Sequence, residues 1–284
     1  MGRLTESDVF DLRDPFVLAE DGVYYMYGTG WVMYKNGSGD LRGPWEGPFP
    51  VVEDPADCDG CRWAPEVHRY RGAYYMFTTY RSAKNGKKGC AVFRSERPEG
   101  PFRLHSDGHF TPGERESIDA TLYVDRNGDP WTVYVDEWVA TDDGVGRMAA
   151  ARMADDLSRT VSEPIELFRA DAPGWAFDGS YVTDGPFLFD RADGSLSMIW
   201  SNFDRYGYCI TVSRSPSGFV AGPWVHDPVP FYTKGETGRY DGGHGMVFRG
   251  TDGKDYLSFH SPNSGTEERG CKPVFLSLDL SAEL

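Results

Sequence analysis

One short pattern occurs five times along the chain and constrains the fold more than any other feature. Each copy has a polar residue, a short apolar run, a turn that contains glycine, and a second run rich in aromatic and β-branched residues. Two such runs around Asp-Gly or Asn-Gly predict a β-hairpin. The copies are RDPFVLAEDGVYYMYGTGW from Arg13, APEVHRYRGAYYMFTTYR from Ala64, DATLYVDRNGDPWTVYVDEW from Asp119, DGPFLFDRADGSLSMIWSNF from Asp184 and GHGMVFRGTDGKDYLSFHSP from Gly243.

The spacing of the copies leaves room for one four-stranded unit each, which is typical of a β-propeller blade. No helical periodicity persists over a long window. We therefore predict an all-β chain in which residues 1–284 form a single five-bladed β-propeller. The predicted blade cores lie near residues 14–30, 65–95, 119–155, 184–215 and 244–280.

A propeller places the innermost strands of all blades around one axis. If every hairpin begins at the same face, the polar residues that open the copies converge on one cavity: Asp14, Glu66, Asp119, Asp184 and His244. The second strands return to that face and bring Trp31, Arg81, Glu137 and Trp138 near it. Carboxylates beside flat aromatic rings predict a carbohydrate site, because the rings stack on sugar faces and the acids bind hydroxyls or do chemistry.

Composition and charge exclude several other classes. The net charge of −15 disfavours nucleic acid and anionic membranes as partners. No apolar run is long enough to span a bilayer. The N-terminal residues lack the apolar segment of a secretory signal, so we expect a cytoplasmic protein, with a secreted protein trimmed of its signal as the alternative. The five cysteines are odd in number and scattered, and we expect free thiols rather than a disulfide framework.

The hairpin openings resemble glycoside hydrolase family 43, which contains inverting arabinofuranosidases, arabinanases and xylosidases. The resemblance runs through RDPF, WAPEV, IDATLYVD, TDGPFLF and GHG, in that order along nearly the whole chain. It implies a five-bladed propeller with three acidic residues on the axis. By the same resemblance, Asp14 matches the general base and Asp119 the aspartate that tunes and orients the acid.

Asp184 departs from the family pattern. It lies where the family usually has a general-acid glutamate, and aspartate retracts the carboxyl by about 1.5 Å. Proton transfer needs heavy atoms within about 2.6–3.2 Å. Either the backbone or the substrate comes closer here, or another acid acts, and Glu137 is the reserve candidate.

The other pocket candidates have two interpretations each. Glu66 is expected to bind substrate hydroxyls. The indole rings of Trp31, Trp63 and Trp138 either stack on sugar or pack in the core. Arg81 either binds substrate or pairs with an acid. His244 is either a core histidine or a residue of the central channel, where the resemblance allows a calcium ion but requires no cofactor.

We therefore expect an enzyme that releases a pentose, foremost α-L-arabinofuranose, from plant-derived oligosaccharides by general acid/base catalysis. β-Xylosidase, exo-galactanase and endo-arabinanase activities are the alternatives within the family. A sugar-binding propeller that has lost its acid is the alternative of another class. The oligosaccharide is the only partner that the sequence indicates.

Overall fold

The five predicted hairpins are the inner halves of five four-stranded antiparallel sheets. A computed structural model describes residues 2–237 and 239–280. In the first two hairpins, the turn residues Asp21-Gly22 and Arg71-Gly72 have positive φ at both positions, as a type I′ turn requires. The predicted five-bladed β-propeller is confirmed.

Each blade is one sheet, and in blades 1 to 4 the strands follow one another in the chain from the axis outward. Blade 1 contains β2 (Phe16–Glu20), β3 (Val23–Gly28), β4 (Val32–Asn36) and β5 (Glu46–Pro50). Blade 2 contains β6 (Trp63–Tyr70), β7 (Ala73–Arg81), β8 (Lys88–Ser95) and β9 (Arg103–Leu104). Blade 3 contains β10 (Ser117–Val124), β11 (Pro130–Asp136), β12 (Arg147–Arg152) and β13 (Ile165–Arg169). Blade 4 contains β14 (Asp184–Asp190), β15 (Leu196–Asp204), β16 (Gly207–Ser215) and β17 (Val225–His226).

Blade 5 is composite. It contains β18 (Gly243–Arg249), β19 (Asp255–Ser261) and β20 (Lys272–Leu278), and its outermost strand is β1 (Leu4–Glu6). Leu4 pairs with Leu276 and Glu6 with Val274, so the start of the chain completes the last sheet. The inner strands contact one another in the order β2, β6, β10, β14, β18 and back to β2, which closes the ring.

Aromatic rings fill the axis beneath the opening residues. The rings of Phe16 and Phe187 come from blades 1 and 4, which are not neighbours, and their centroids lie 6.3 Å apart. His68 of blade 2 lies 5.1 Å from Phe16, measured between ring centroids. The central channel is therefore closed by side chains one layer below Asp14.

A left-handed residue opens every inner strand. The five residues are Asp14 (φ 56), Ala64 (φ 44), Asp119 (φ 54), Gly185 (φ 49) and His244 (φ 55). In blades 2 to 5 the strand register shifts at this residue, which is a β-bulge that turns the side chain toward the axis. The prediction aligned Glu66 and Asp184 with Asp14, but the structure aligns Ala64 and Gly185 with it.

Hydrogen bonds between neighbouring blades hold these left-handed residues. In four cases the backbone N–H donates to a side chain at the end of the second strand of the preceding blade. The pairs are Asp14 with His260 Nδ1 (3.2 Å), Ala64 with Thr29 Oγ1 (3.0 Å), Asp119 with Thr79 Oγ1 (2.9 Å) and His244 with Ser201 Oγ (2.8 Å). In the fifth, Gly185 N–H donates to Asp119 Oδ2 at 3.5 Å. We call these five bonds the interblade clamps.

Helix is nearly absent from the described residues. A four-residue helix α1 (Lys234–Thr237) and a 3-10 turn (Trp138–Ala140) are the helical elements of that part of the chain. Neither is long or apolar enough to cross a membrane. All five cysteines are free thiols, as expected.

The closure strand provides the first testable prediction. Thr5 pairs with Phe275, and the flanking backbone bonds from Ser277 and Ser7 make this a hydrogen-bonded pair of the ladder. Thr5→Pro removes the donor and leaves the Phe275 carbonyl without its partner, which should destabilise the protein by about 1–3 kcal/mol. We expect a melting temperature several degrees below wild type by calorimetry. Thr5→Val keeps the donor and should melt near wild type; equal melting of both variants would show that the closure strand adds no stability.

Candidate active site

The left-handed residues open into a cavity of about 380 Å³ at the axis. This is near the lower end of the range for ligand pockets. The cavity is lined by Arg13, Asp14, Thr29, Trp63, Ile118, Asp119, Glu137, Trp138, Val182, Asp184, Phe203, Tyr208, His244 and Asn263. It therefore combines acids, one histidine and several aromatic rings, as the sequence predicts.

Asp14 is buried yet ionised. The Thr29 hydroxyl donates to Oδ2, and Oδ1 lies 3.4 Å from His244 Nδ1. Burial pushes the pKa of Asp14 upward, but the charges of His244 and Arg13 and the Thr29 hydrogen bond outweigh burial and lower that pKa. A carboxylate that stays ionised with one oxygen facing a pocket is suited to accept a proton from water.

His244 is the cation at the centre of the cluster. Its Nδ1 lies 3.4 Å from Asp14 Oδ1, 3.7 Å from Asp119 Oδ2 and 3.6 Å from Asp184 Oδ1. Burial acts to lower the pKa of His244, but the three carboxylates overcome burial and raise that pKa to about 10. The imidazole is therefore protonated at neutral pH and compensates part of the negative charge.

Asp119 and Asp184 form a hydrogen-bonded carboxyl pair. Burial and the neighbouring charge of Asp184 raise the pKa of Asp119 well above its ordinary value. Burial also acts to raise the pKa of Asp184, but hydrogen bonds from Asp119, His244 and Tyr208 lower it. Two carboxyls this close cannot both ionise freely, so the pair keeps one proton to a higher pH than a single aspartate would.

His260 supports the cluster without charging it. Its Nδ1 accepts the backbone N–H of Asp14 and so cannot carry a proton, and Nε2 faces Asn263 Oδ1 at 3.4 Å. Burial lowers the pKa of His260 to about 4. This neutral tautomer fixes the backbone of Asp14 rather than pairing with its carboxylate.

Glu137 and two tryptophans line one wall. The carboxylate of Glu137 forms an ion pair with Lys88, whose ammonium lies 5.2 Å from the centroid of the Trp63 ring. Burial raises the pKa of Glu137, although Lys88 offsets part of this effect. Trp138 lies in the 3-10 turn beside Glu137 and also faces the cavity. The structure thus places Trp63, Glu137 and Trp138 at the pocket.

Three predicted substrate-binding residues lie elsewhere. Trp31 is 2% exposed, packs on Phe93 in the core and donates from its indole N–H to Thr78. Arg81 donates to the backbone of Asp59 at the surface and does not line the cavity. Glu66 lies two residues past the left-handed position of its blade, so its carboxylate pairs with His68 at 3.1 Å, below the pocket floor. The structure therefore places none of these three side chains at the cavity: Trp31 has the core position and Arg81 the pairing position given above as alternatives, and Glu66 pairs with His68 instead of lining the pocket.

Several pocket residues carry no signal in the repeat. Tyr208 comes from β16, the third strand of blade 4, and Asn263 from the loop after β19. Arg13 donates to Oδ1 of Asn263 at 3.0 Å and lies at the cavity wall. Only its position next to Asp14 marks Arg13 in the sequence.

The residues around His244 fit a calcium ion poorly. Calcium takes six to eight oxygen ligands. Here His244 Nδ1 already faces the three carboxylates as a donor, and the axis below holds the Phe16 and Phe187 rings. The calcium ion remains a prediction from the resemblance, and the mechanism derived below uses the chain's own residues.

A five-bladed propeller with paired acids in a small aromatic pocket is the arrangement of an enzyme that cleaves glycosidic bonds. The chain matches the glycosyl hydrolases family 43 over residues 9–276. It belongs to this family and is a glycoside hydrolase.

Individual relatives agree with this assignment. The chain is 34% identical to a solved endo-arabinase from Bacteroides thetaiotaomicron VPI-5482, with a TM-score of 0.85 and coverage of 98% of this chain and 99% of that chain. It is 24% identical to an extracellular exo-α-(1→5)-L-arabinofuranosidase of Cellvibrio japonicus, over 88% of this chain and 79% of the relative. It is 26% identical to an enzyme of the same name from Streptomyces chartreusis, over 70% of this chain and 62% of the relative.

The expectation of a cytoplasmic protein is wrong. Both curated relatives are named as extracellular enzymes, which contradicts that location.

The charge on His244 leads to a prediction about stability and pH. Unfolded histidine has a pKa of about 6.5, whereas folded His244 keeps its proton up to about pH 10. The stabilising contribution is therefore complete below about pH 6.5 and is lost as the pH rises toward 10. We expect wild type to melt at a lower temperature at pH 9 than at pH 6, and His244→Gln to show a much smaller drop.

The matched control is His105→Gln, which replaces a histidine outside the cluster. This variant should keep the wild-type difference between the two pH values. If His244→Gln keeps the full difference as well, the His244 imidazole does not carry the charge assigned to it.

Proposed function

We propose that this enzyme hydrolyses α-L-arabinofuranosyl linkages and releases single arabinose units from the ends of plant-derived oligosaccharides. The observation that carries the proposal is the cluster of Asp14, Asp119 and Asp184 around His244 at the base of a small, closed-bottomed pocket. The relatives described above support the choice of sugar, because all three are named for action on arabinan or arabinofuranosides.

The shape of the cavity supports release from chain ends. A volume of about 380 Å³ accommodates a few sugar rings rather than a long polymer segment. The Phe16 and Phe187 rings block the axis below, so a sugar that enters cannot pass through. Trp63, Trp138 and Phe203 supply apolar faces at the wall on which a furanose ring could stack.

In the proposed reaction Asp14 is the general base. Its Oδ1 takes a proton from water as the water oxygen bonds to the anomeric carbon. At rest Asp119 holds the one proton of the carboxyl pair in its hydrogen bond to Asp184. As the C–O bond breaks, this proton passes through Asp184 to the leaving oxygen, which keeps the electron pair of that bond, and His244 stabilises the carboxylates before and after transfer.

Inversion requires a base and an acid on opposite faces of the sugar. Oδ1 of Asp14 and Oδ1 of Asp184 lie 3.4 and 3.6 Å from the same atom, His244 Nδ1. Because both distances end at the same nitrogen, they set an upper limit on the separation of the two oxygens. That limit falls in the lower part of the range of about 6.5–9.5 Å that separates the two carboxyls of inverting enzymes. The arrangement is compact, so the anomer formed first is an informative measurement.

A substrate panel tests the proposed activity. We expect wild type to hydrolyse 4-nitrophenyl α-L-arabinofuranoside at least tenfold faster, by kcat/KM, than the β-D-xylopyranoside or β-D-galactopyranoside. On linear α-1,5-arabino-oligosaccharides, arabinose should be the first product seen by chromatography, and proton NMR should show it with inverted configuration. Asp14→Asn is the inactive control.

Other outcomes of this panel contradict specific parts of the proposal. Faster xyloside cleavage would overturn the choice of sugar. Early formation of di- and trisaccharides would overturn release from chain ends. A retained anomer would require a covalent nucleophile, and no cleavage of any glycoside would indicate a sugar-binding propeller.

The role of Asp184 as acid has its own test. Asp184→Ala should lower kcat/KM on arabino-oligosaccharides by roughly 10²–10⁴-fold, since their alkoxide leaves poorly without a proton. The 4-nitrophenyl substrate needs little protonation and should lose far less. Glu137→Gln is the comparison, because Glu137 lines the pocket outside the three-aspartate cluster and burial raises its pKa. If Glu137→Gln shows the dependence on leaving group and Asp184→Ala does not, Glu137 is the acid.

A further inference from the structure

Tyr208 contacts the Asp184 carboxyl but has no role in the proposed reaction. The Tyr208 hydroxyl donates a hydrogen bond to Asp184 Oδ2, and the other carboxylate oxygen, Oδ1, faces His244 Nδ1 at 3.6 Å. Both oxygens of the short acid therefore have a polar partner. The Tyr208 side chain also lines the cavity, so its hydroxyl lies at the boundary between the acid and the substrate space.

The ring of Tyr208 has little freedom to move. It is 2% exposed and stacks on the His260 ring with centroids 5.8 Å apart and an interplanar angle of 26°. On another side it packs against the backbone of Gly243, where an added Cβ would lie 2.2 Å from a ring carbon. The hydroxyl is therefore held in place by packing on both sides of the ring rather than by its own hydrogen bond alone.

The space around Asp184 is closed on the side of Gly185 as well. A Cβ at Gly185 would lie 2.8 Å from the His244 ring, and φ is 49° at this position, so glycine meets both the space and the backbone requirement. His244 thus approaches Asp184 from one side and Tyr208 from the other. A longer acid at position 184 that stays between these two partners would press its carboxyl against one of them.

We propose that Tyr208 is a positioning residue for the acid: its hydroxyl fills the space that a longer acid would use and fixes the carboxyl of Asp184 by donating to Oδ2. This inference deepens the proposed function and rests on the assignment of Asp184 as the acid. It gives the aspartate at this position a structural partner, so that the pair of side chains together occupies the place of one glutamate.

The hydrogen bond also determines which oxygen carries the catalytic proton. Tyr208 is a donor, because burial and the charge of Asp184 raise its pKa well above the ordinary value. Tyr208 donates to Oδ2 at 2.5 Å, whereas His244 Nδ1 lies 3.6 Å from Oδ1, beyond a normal hydrogen-bond length, so Oδ2 is the better placed acceptor and we expect the proton of Asp184 on Oδ1. After transfer to the leaving oxygen, the same bond stabilises the Asp184 carboxylate.

Four forms of the enzyme test the inference: wild type, Tyr208→Phe, Asp184→Glu and the double variant. Tyr208→Phe keeps the ring and its packing but removes the hydroxyl. We expect it to lower kcat on arabino-oligosaccharides by roughly 10-fold or more, with far less effect on the 4-nitrophenyl substrate. We also expect the alkaline limb of its kcat/KM profile to move to higher pH, because the Asp184 carboxylate loses a stabilising donor.

The double variant tests whether the Tyr208 hydroxyl and a longer acid at position 184 compete for the same space. Asp184→Glu alone should be poorly active, since its added methylene collides with the Tyr208 hydroxyl. Removing that hydroxyl makes room, so the double variant should be at least tenfold more active than Asp184→Glu. If the loss in the double variant is the product of the two single losses, the residues do not share one space and the inference is overturned.

Tyr232→Phe is the matched control. Tyr232 is also 2% exposed, and its hydroxyl donates to the backbone of Tyr240, away from the carboxylates. This variant should leave the alkaline limb in place. If the alkaline limb of the kcat/KM profile is also unchanged in Tyr208→Phe, Tyr208 fills space in the core and does not position the Asp184 carboxyl.

Failure of this inference is distinguishable from failure of the proposed function. If Asp184→Ala affects both substrate types equally, Asp184 is not the acid and the assignment of the acid falls, together with the inference that rests on it. If Asp184→Ala shows the dependence on leaving group but Tyr208→Phe leaves the alkaline limb unchanged, only the role of Tyr208 is overturned. Melting temperatures of all variants show whether each one is folded.

Discussion

One positive charge, on the His244 imidazole, makes the centre of this protein possible. Two buried aspartates and one half-buried aspartate without a cation would have to take up protons, because an unpaired carboxylate is costly to remove from water. His244 contacts an oxygen of each and remains protonated well above neutral pH. With this charge in place, Asp14 stays ionised as a base while the Asp119–Asp184 pair keeps a proton for the acid. Acid/base catalysis needs one carboxyl that is ionised and another that keeps its proton.

The residues that build the fold and those that build the site are largely the same. The left-handed residue of each blade turns a side chain to the axis, and its backbone N–H is held by an interblade clamp. Asp14, Asp119 and His244 occupy three of these positions, and Asp119 also provides the clamp for Gly185. The carboxylates are therefore positioned by the same contacts that join one blade to the next. A substitution at these positions is expected to affect both activity and ring closure.

The sequence predicts the five blades and the central acids because both repeat with the same spacing and turn chemistry. It fails where the repeat is broken. Blade 2 has alanine at the left-handed position, so Glu66 was aligned two residues out of register and lies below the floor. Trp31 and Trp138 both follow a second strand, but Trp31 packs into the core. No sequence pattern distinguishes a tryptophan that faces the pocket from one that faces the core at such a position.

Residues outside the inner hairpins were missed for a related reason. Tyr208 and Asn263 reach the pocket from an outer strand and a loop, where contacts depend on the folded arrangement of blades rather than on periodicity. The three-residue strand β1 is too short to show alternation, so its pairing with β20 could not be expected from local sequence. The location of the protein was misjudged because it rested on the N-terminal residues alone, and the relatives contradict it.

The seam of the ring lies inside blade 5, between β1 and β20, rather than between two complete blades. The seam is thus joined by a backbone ladder as well as by side-chain packing. During synthesis, Leu4 is made 272 residues before its partner Leu276. The growing chain therefore carries an unmatched strand until its final blade appears, and pairing over so long a separation is slow. Because β1 is the outermost strand of its sheet, peptide added before it would leave from the rim of the disc, on the side remote from the axis.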